Sequence, residues 1–305
     1  MILISIEDMS RSKELCMGCN SSLTKDNLYL IKNITKDKIN KYTYSSRKIP
    51  EFMNYELYKC DKCELIFAVD IPLKKEILDA YSKTQIVSKE DFIDAAGTYY
   101  NLVNKIINFD ENLKIMEIGS GTGEFIKILK NTGYKNIIGI EPSINFINAS
   151  TAKECLINTS IEDLNDVSGD YDYIFCFMTF EHLYDPVIST NKIFKLLRKG
   201  GQLILVTHDS QAFLNRLLKK NSPIIDIEHL QIFSKKSLKT FLENQGFKNV
   251  NSCSFLNSYR ISYWVWLLPF SKKIKQKLIK TLNLLMIGNF KLGINVGNIL
   301  TVAEK

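Results

Sequence analysis

The stretch Leu113–Phe125 constrains the fold of this 305-residue chain more than any other part of it. Residues 113–117 predict a short buried strand, and a helix is predicted to begin near Glu124. Between them, glycine stands at three alternate positions, 119, 121 and 123. Glycine lets the backbone lie directly against a ligand, and the amides at a helix start favour polar or anionic groups. The stretch therefore predicts a small-molecule cradle; for the glycines alone, a tight turn without a ligand is the alternative.

The spacing of the glycines separates two classes of nucleotide cofactor. A dinucleotide site has the pattern G-x-G-x-x-G, in which the third glycine lies inside the helix beneath a pyrophosphate. This chain has G-x-G-x-G, preceded by Glu117 at the end of the strand. A carboxylate at that place favours a ligand with a positive amino group and a sulfonium over a ligand with two phosphates.

Strand and helix patterns alternate after the glycine turn. Residues 136–141 predict a second strand ending on Glu141, where a carboxylate is placed to accept hydrogen bonds from both hydroxyls of a ribose. A solvated carboxylate is the alternative. Further strands are predicted at 155–158, 170–177, 202–206, 249–256 and 298–303, with residues 198–201 as the C-cap of a helix over 185–197. This alternation predicts an α/β fold with a doubly wound, mostly parallel sheet.

The glycine motif, Glu141 and the alternation over roughly residues 112–255 resemble class I S-adenosylmethionine-dependent methyltransferases. The resemblance implies a seven-stranded sheet whose last two strands form an antiparallel edge. It also implies S-adenosylmethionine as the cofactor, with Ser160 and Ile161 against the adenine ring. The cofactor-binding residues it implies are Glu117, Gly119, Ser120, Gly121, Gly123, Glu141, Pro142, Ser160, Ile161, Met178 and Thr179.

Two C-x-x-C pairs, Cys16/Cys19 and Cys60/Cys63, indicate a metal site in the first 70 residues. Each pair directs two thiolates at one point, and two pairs supply the tetrahedral sulfur set that zinc prefers. Two disulfides or coincidence are the alternatives. Four thiolates leave no open position on the metal, so the predicted role of Zn²⁺ is structural. The lone cysteines 155, 176 and 253 are predicted to be core residues.

These patterns divide the chain into three parts. Residues 1–70 are predicted to form a zinc-ribbon-like module, with strands at 29–31 and 55–58, and residues 71–110 a helical cap or linker over the mouth of the cradle. Tyr81, Tyr99 and Tyr100 are candidates to touch the ligand. The methyltransferase domain is predicted at 111–305, with a helical insertion at 257–297 before the last strand.

The insertion has two interpretations. Ile274, Leu278, Leu282 and Leu285 share one face of a predicted helix, and Lys273, Lys277 and Lys280 share another. The first interpretation is a substrate cap with a solvated lysine face. The second is an interfacial helix, with residues 259–286 in peripheral contact with an anionic membrane or a lipid-linked substrate.

All three histidines, His182, His208 and His229, are predicted to lie near the ligand mouth, and the candidate catalytic residues are His182, His229 and Glu228. Methyl transfer needs alignment and, for a hydroxyl acceptor, a base, and imidazole titrates close to neutral pH. The Glu228–His229 pair is similar to one in zinc-ribbon C-methyltransferases that act on nucleotide-linked deoxysugars, but Asp226 stands near the place where those enzymes tend to carry a tyrosine. The sequence therefore favours O-methylation of a sugar, a nucleotide-linked sugar or a lipid-linked saccharide. An RNA methyltransferase with a zinc module and a non-catalytic cofactor-binding protein are the alternatives.

The formal net charge of +7 is confined to the C-terminal part of the chain. From residue 256 onward there are Arg260 and seven lysines, with Glu304 as the single acid. A near-neutral body fits a small-molecule or glycan substrate better than nucleic acid. The first residues lack a secretory pattern and no apolar run is long enough to span a membrane, so we expect a cytoplasmic protein, with peripheral membrane contact as the alternative. The sequence does not indicate an oligomeric state.

Overall fold

A computed structural model describes residues 11, 13–35, 37, 39–40, 43–44, 52–86, 88–165, 169–268 and 270–305. The N-terminal part forms a small antiparallel sheet of β1 (Leu28–Leu30), β2 (Glu56–Lys59) and β3 (Ile66–Val69). One cysteine pair precedes β1, and the other lies in the tight turn between β2 and β3. The predicted strands at 29–31 and 55–58 thus lie within a residue or two of β1 and β2.

Two helices connect this sheet to the glycine turn. They are α1 (Lys74–Ser82) and α2 (Lys89–Val103). The Ser88 side chain caps α2 by accepting a hydrogen bond from the Asp91 amide. The Phe92 ring of α2 lies so close to the turn that a Cβ added at Gly121 would be 3.1 Å from it. The helical segment therefore covers the turn.

The central sheet follows in chain order. Its first half consists of β4 (Lys114–Ile118), α3 (Glu124–Thr132), β5 (Asn136–Ile140), α4 (Ile144–Ala149), β6 (Leu156–Ile157), β7 (Tyr171–Phe177), α5 (Pro186–Leu196) and β8 (Leu197–His208). The rest of the chain consists of α6 (Phe213–Leu218), β9 (Gln231–Ile232), α7 (Lys235–Asn244), β10 (Lys248–Ser254), β11 (Asn257–Arg260), α8 (Ile261–Leu267), α9 (Lys272–Leu284), β12 (Lys291–Ile294) and β13 (Asn298–Glu304), of which β10 and β13 complete the central sheet.

Seven strands form this sheet in the order β10-β13-β8-β7-β4-β5-β6. All of them run parallel except β13, which pairs antiparallel with both β8 and β10. The central strands are apolar on both faces because helices cover both sides, and residues 174–177 of β7 are fully buried. The predicted doubly wound, seven-stranded α/β fold is confirmed.

Two local predictions are wrong. Residues 198–201 do not cap α5, because the helix ends at Leu196 and β8 already begins at Leu197. Leu197 pairs with Tyr171, and the register then jumps to Gln202 opposite Tyr173, so the glycines lie in an irregular strand start. Cys253 is exposed and not a core residue, whereas Cys176 is buried and Cys155 is half-buried.

The N-terminal sheet is completed by a strand from the other end of the chain. Its order is β1-β2-β3-β9, with Phe67 opposite Gln231. The Arg11 guanidinium joins the two parts by donating to the carbonyl oxygens of Ala68 and Leu230. Phe67 also shares a hydrophobic core with Phe233 and the central sheet. The cysteine module is therefore built into the large domain.

The insertion is helical, as predicted, but a two-stranded ribbon of β11 and β12 forms its base. This ribbon is held against α2, because Arg260 and Lys291 both pair with the buried Asp94, at 2.8 and 3.0 Å. The Thr98 hydroxyl also donates to the Ser258 carbonyl oxygen at 3.1 Å. Within the described ranges, no helix is long and apolar enough to cross a membrane.

Candidate active site

The glycine turn is held in an unusual backbone conformation. Gly119, Gly121 and Gly123 have φ values of +69°, +54° and +71°, a region that other residues avoid. At Gly119 there is no room for a side chain, because an added Cβ would lie 2.2 Å from Thr179 Oγ1. The Gly119 and Ser120 amides both donate to the Ile140 carbonyl oxygen at the end of β5. This fixes the turn between the ends of β4 and β5, where open α/β sheets bind ligands.

Glu141 follows β5 and lies directly beside the turn. Its Oε2 accepts a hydrogen bond from the Gly121 amide at 2.9 Å, and its Oε1 accepts one from the Ser143 amide at 2.8 Å. Burial raises the pKa of Glu141 to about 7, and the two amides and the Tyr81 hydroxyl oppose that rise by hydrogen bonding to the carboxylate. Each carboxylate oxygen has a second lone pair, so both can still accept from a diol.

Glu117 is the second buried carboxylate of the cradle. Burial raises its pKa well above the usual value, and the charge of Glu141 adds to the effect. In the described part of the chain, its Oε2 has no hydrogen-bond partner. An orphaned acceptor next to a second carboxylate suits a positively charged group, so the residues present fit the amino group and sulfonium of S-adenosylmethionine.

The other predicted cofactor residues surround the same strand ends. Ser120 and Ile161 are buried, and Pro142 is half-buried directly after Glu141. The Ser160 hydroxyl donates to Asp163 at 2.8 Å, and Asp163 pairs with Lys74 of α1 at 2.6 Å. Asp163 thus fixes the Ser160 loop against the helical segment.

Met178 and Thr179 lie at the end of β7. Met178 adopts φ +47° while its amide donates to the Val206 carbonyl oxygen at 2.7 Å. The Thr179 hydroxyl donates to the Phe177 carbonyl oxygen at 3.0 Å, and its side chain fills the space above Gly119. These contacts place both residues at the mouth of the glycine turn.

All three histidines of the chain meet beyond the ends of β7 and β8. The ring centroids of His182 and His229 are 4.9 Å apart, and those of His208 and His229 are 5.1 Å apart. His182 and His229 were predicted as site residues, and the structure brings them together. His208, the last residue of β8, was expected at the same mouth because it follows the carboxyl end of a parallel strand, but it was ranked below the other two as the base.

Hydrogen bonds define the tautomers of these rings. His182 Nδ1 lies 2.8 Å from the Glu228 carbonyl oxygen, and His229 Nδ1 lies 2.9 Å from the Ile224 carbonyl oxygen. A carbonyl oxygen only accepts, so Nδ1 carries the proton and Nε2 is the basic nitrogen of each neutral ring. His208 Nδ1 lies 2.9 Å from Asn298 Oδ1, and burial lowers the pKa of His208 to about 4. His208 is therefore neutral at physiological pH.

Two glutamates border the histidines. The Glu228 carboxylate lies 4.0 Å from His229 Nε2. Glu181 is buried, and its carboxylate lies beside the Thr207 hydroxyl and the His208 backbone amide. Burial raises the pKa of Glu181 to about 7, so it is partly protonated near neutral pH. Glu181, His182 and His229 each offer a ligand atom within 4.8 Å of the others, so these three side chains could also hold a divalent cation.

Aromatic side chains from the cap and the insertion form a group next to Glu181. Burial raises the pKa of Tyr99 in α2, and the nearby carboxylates of Glu181 and Glu117 add to the rise. Its hydroxyl hydrogen-bonds with that of Tyr259, which stacks on Tyr263 at 4.2 Å. Of the tyrosines predicted to touch the ligand, Tyr81 and Tyr99 thus lie beside site carboxylates. Tyr100 instead contacts Thr132 at the far end of α3.

The four cysteines of the two pairs form a compact cluster. Their Sγ atoms all lie within 4.8 Å of one another, with Cys16 and Cys63 at 3.5 Å and Cys19 and Cys60 at 3.6 Å. These separations exceed the length of a disulfide bond and are close to the roughly 3.8 Å that Zn–S distances of about 2.3 Å give in a tetrahedron. The amides of Gly18 and Cys63 point at Sγ atoms, at 3.4 and 3.5 Å. The donor set and its geometry fit Zn²⁺.

Comparison with known proteins identifies the family of the chain. A family described as a methyltransferase domain matches residues 91–252, which is more than half of the chain. The chain therefore belongs to this methyltransferase family, and its fold is that of class I S-adenosylmethionine-dependent methyltransferases.

Individual relatives are more distant. A tRNA U34 carboxymethyltransferase of Campylobacter hominis is 27% identical over 131 residues, which are 39% of this chain and 45% of that protein. A carboxy-S-adenosyl-L-methionine synthase of Staphylococcus epidermidis is 22% identical over 204 residues, 55% of this chain and 88% of that protein. The chain thus spans under half the length of the first of these relatives.

Solved structures show the same fold. A chain from the Haloferax volcanii complex of the Trm112 methyltransferase activator superposes with a TM-score of 0.53 at 13% identity, covering 75% of this chain and 96% of that one. The YcgJ protein of Bacillus subtilis has a TM-score of 0.50 at 14% identity, covering 67% and 97%. At these identities the likeness concerns the fold alone.

Proposed function

We propose that the protein transfers a methyl group from S-adenosylmethionine to a hydroxyl of a saccharide, either free, nucleotide-linked or lipid-linked. The cofactor would lie on the glycine turn, with its ribose on Glu141 and its amino group towards Glu117. The observation that carries the proposal is the pair of imidazoles, His182 and His229, whose Nδ1 atoms are held by carbonyl oxygens. Such rings present a basic nitrogen beside the place where an acceptor would meet the cofactor.

The proposed chemistry is an in-line displacement. When bound, S-adenosylmethionine supplies an electrophilic methyl group on a positive sulfur. Nε2 of His229 or of His182 would take the hydroxyl proton of the acceptor when its oxygen accepts that methyl group. The products are the methyl ether, S-adenosylhomocysteine and an imidazolium. Glu228, 4.0 Å from His229, would stabilise that charge.

Aromatic and acidic neighbours support a saccharide acceptor. The half-buried Tyr259 and Tyr263 stack on one another, and Tyr99 links them to Glu181; sugar rings would pack on such flat apolar surface through their C–H faces. Glu181 and Glu228 can accept hydrogen bonds from sugar hydroxyls. We further propose that Cys16, Cys19, Cys60 and Cys63 hold one structural Zn²⁺, which would order the module that pairs with β9.

The proposal is tested by transfer of a labelled methyl group from S-adenosylmethionine to nucleotide sugars, to free saccharides and to lipid extracts. His182→Gln and His229→Gln are compared, with cofactor affinity measured by calorimetry in each variant. Loss of the base is expected to lower kcat by about 10²- to 10⁴-fold at unchanged affinity. If neither variant loses turnover, the base assignment is wrong. If chelation abolishes turnover and added Mg²⁺ or Mn²⁺ restores it, Glu181, His182 and His229 hold a metal instead.

A second candidate is transfer to RNA, which the named relatives favour. The Campylobacter hominis relative is called a tRNA U34 carboxymethyltransferase. A carboxymethyl donor adds a carboxylate next to the transferred carbon, and this carboxylate would need a cation. Of the four described arginines, Arg198 and Arg260 pair with Asp172 and Asp94, Arg11 donates to Gln231 and to backbone carbonyl oxygens, and Arg216 lies on α6, while the charged side chains next to the imidazoles are glutamates. Unmodified tRNA tested with both cofactors separates this candidate from the saccharide proposal, and cofactor binding without transfer to any acceptor would favour a non-catalytic role.

A further inference from the structure

Helix α9 carries an apolar stripe that the described part of the chain leaves uncovered. Ile274, Leu278 and Leu285 are exposed along one side of the helix, and Leu284 and Met286, which are 83% and 81% exposed, lie at its C-terminal end. Single exposed apolar side chains are ordinary, but these five are grouped on one helix and its C-terminal turn. We define these five residues, with Lys273, Lys277 and Lys280 beside them, as the α9 face.

The way α9 packs explains why this stripe is turned outward. The one buried side chain of the helix is Lys275, whose Nζ donates to the Trp266 carbonyl oxygen of α8 at 2.7 Å. Successive residues are about 100° apart around a helix, so Ile274 lies about a quarter-turn away from the side that packs on α8. The stripe therefore does not serve the hydrophobic core.

All charged side chains of the helix are positive. It contains Lys272, Lys273, Lys275, Lys277 and Lys280 and no acidic residue. An uncovered apolar stripe bordered by lysines is the pattern of a helix that lies in the plane of an anionic bilayer, with its leucines at the acyl boundary and its lysines at the headgroups.

We propose that the α9 face docks on the surface of an anionic lipid bilayer. A second copy of the chain is a poorer occupant, because a two-fold pairing of this face would bring lysines against lysines. The docking is independent of the proposed methyl transfer. Docking would place Tyr259 and Tyr263, at the base of the insertion, close to the membrane.

The test is co-flotation of the full-length protein with phosphatidylcholine vesicles that contain or lack phosphatidylglycerol. We expect binding only to the anionic vesicles, decreasing with added salt. Lys273→Gln/Lys277→Gln/Lys280→Gln should weaken partitioning by about 100-fold, because each lysine at such a surface contributes about 1 kcal/mol. Leu284→Ser/Met286→Ser should also weaken it, by loss of apolar burial.

The matched control is Lys25→Gln/Lys32→Gln/Lys127→Gln, which removes the same charge from exposed positions elsewhere. This control should bind as the wild type does. Absence of wild-type binding, or an equal loss in the control, would overturn the proposal. The α9 face would instead bind a second copy of the chain if the protein dimerises at high concentration without binding vesicles. In that case Leu284→Ser/Met286→Ser should abolish the dimer. Cofactor affinity is measured in every variant to show that the fold is intact. A failure of membrane docking can then be distinguished from a failure of the methyl-transfer proposal.

Discussion

Replacing Gly119 by alanine tests the structural basis of the cofactor cradle. The residue has φ +69°, and the added Cβ would lie 2.2 Å from Thr179 Oγ1 and 2.8 Å from its Cβ. The left-handed conformation costs a non-glycine residue about 1–2 kcal/mol. Overpacking of a filled site costs about 1–3 kcal/mol more. Gly119→Ala should therefore lower the free energy of unfolding by about 2–5 kcal/mol.

Gly200 provides the matched control, because it has φ +74° and nothing lies within 4 Å of an added Cβ. Gly200→Ala should lower the free energy of unfolding only by the cost of the left-handed conformation, about 1–2 kcal/mol. In a Thr179→Gly background, the cost of Gly119→Ala should fall to the same value. The assay is urea denaturation followed by circular dichroism. If Gly119→Ala costs no more than Gly200→Ala in the wild-type background, the close approach of Thr179 to the turn is wrong.

Two further predictions concern the buried carboxylates and the cysteines. The pKa values of Glu141 and Glu181 are raised to about 7 by folding, so folded protein binds their protons more tightly. Their contribution to stability is therefore full below about pH 4.5 and is lost as the pH rises through about 7. When denaturation midpoints are measured against pH, Glu141→Gln/Glu181→Gln should show a smaller decline than the wild type. S-adenosylmethionine should conversely bind more tightly above about pH 7, when Glu141 is ionised, and calorimetry on Glu141→Gln should show a weaker dependence. Cys60→Ser should lower bound zinc, thermal stability and methyl transfer together, while Cys253→Ser, at an exposed cysteine, should change none of them; full activity without zinc would contradict the structural role.

Much of the cradle could be predicted because its signals are local. A buried parallel strand is a run of apolar residues, and three alternate glycines mark the turn that follows it. In a parallel sheet, the carboxyl ends of neighbouring strands meet at one edge, so residues after β4, β5 and β7 had to lie together. This is why Glu117, Glu141 and Thr179, which are far apart in sequence, were predicted in one site.

Other features depend on contacts that leave no local pattern. Strand β9 has two residues, too few for any periodicity, and its partner β3 lies more than 160 residues earlier. The start of β8 at Leu197 follows from a bulge opposite Tyr171, and glycines at 200 and 201 resemble a helix end until that pairing is known. For α9, the residue pattern predicts an apolar face and a lysine face, but it does not predict which side of the helix packs on the domain. The burial of Lys275 in the structure identifies that side.

The short strand β9 also explains why a cysteine module accompanies this site. His229 lies two residues before β9, and the Leu230 amide donates to the Glu181 carbonyl oxygen at 2.9 Å. The carbonyl oxygen of Glu228, the residue before His229, accepts a hydrogen bond from His182 Nδ1. Pairing of β9 with β3 therefore fixes a segment that positions both imidazoles. A metal that orders β2 and β3 would thus act through the backbone on the two histidines that we propose as the base, although it lies in a separate cluster.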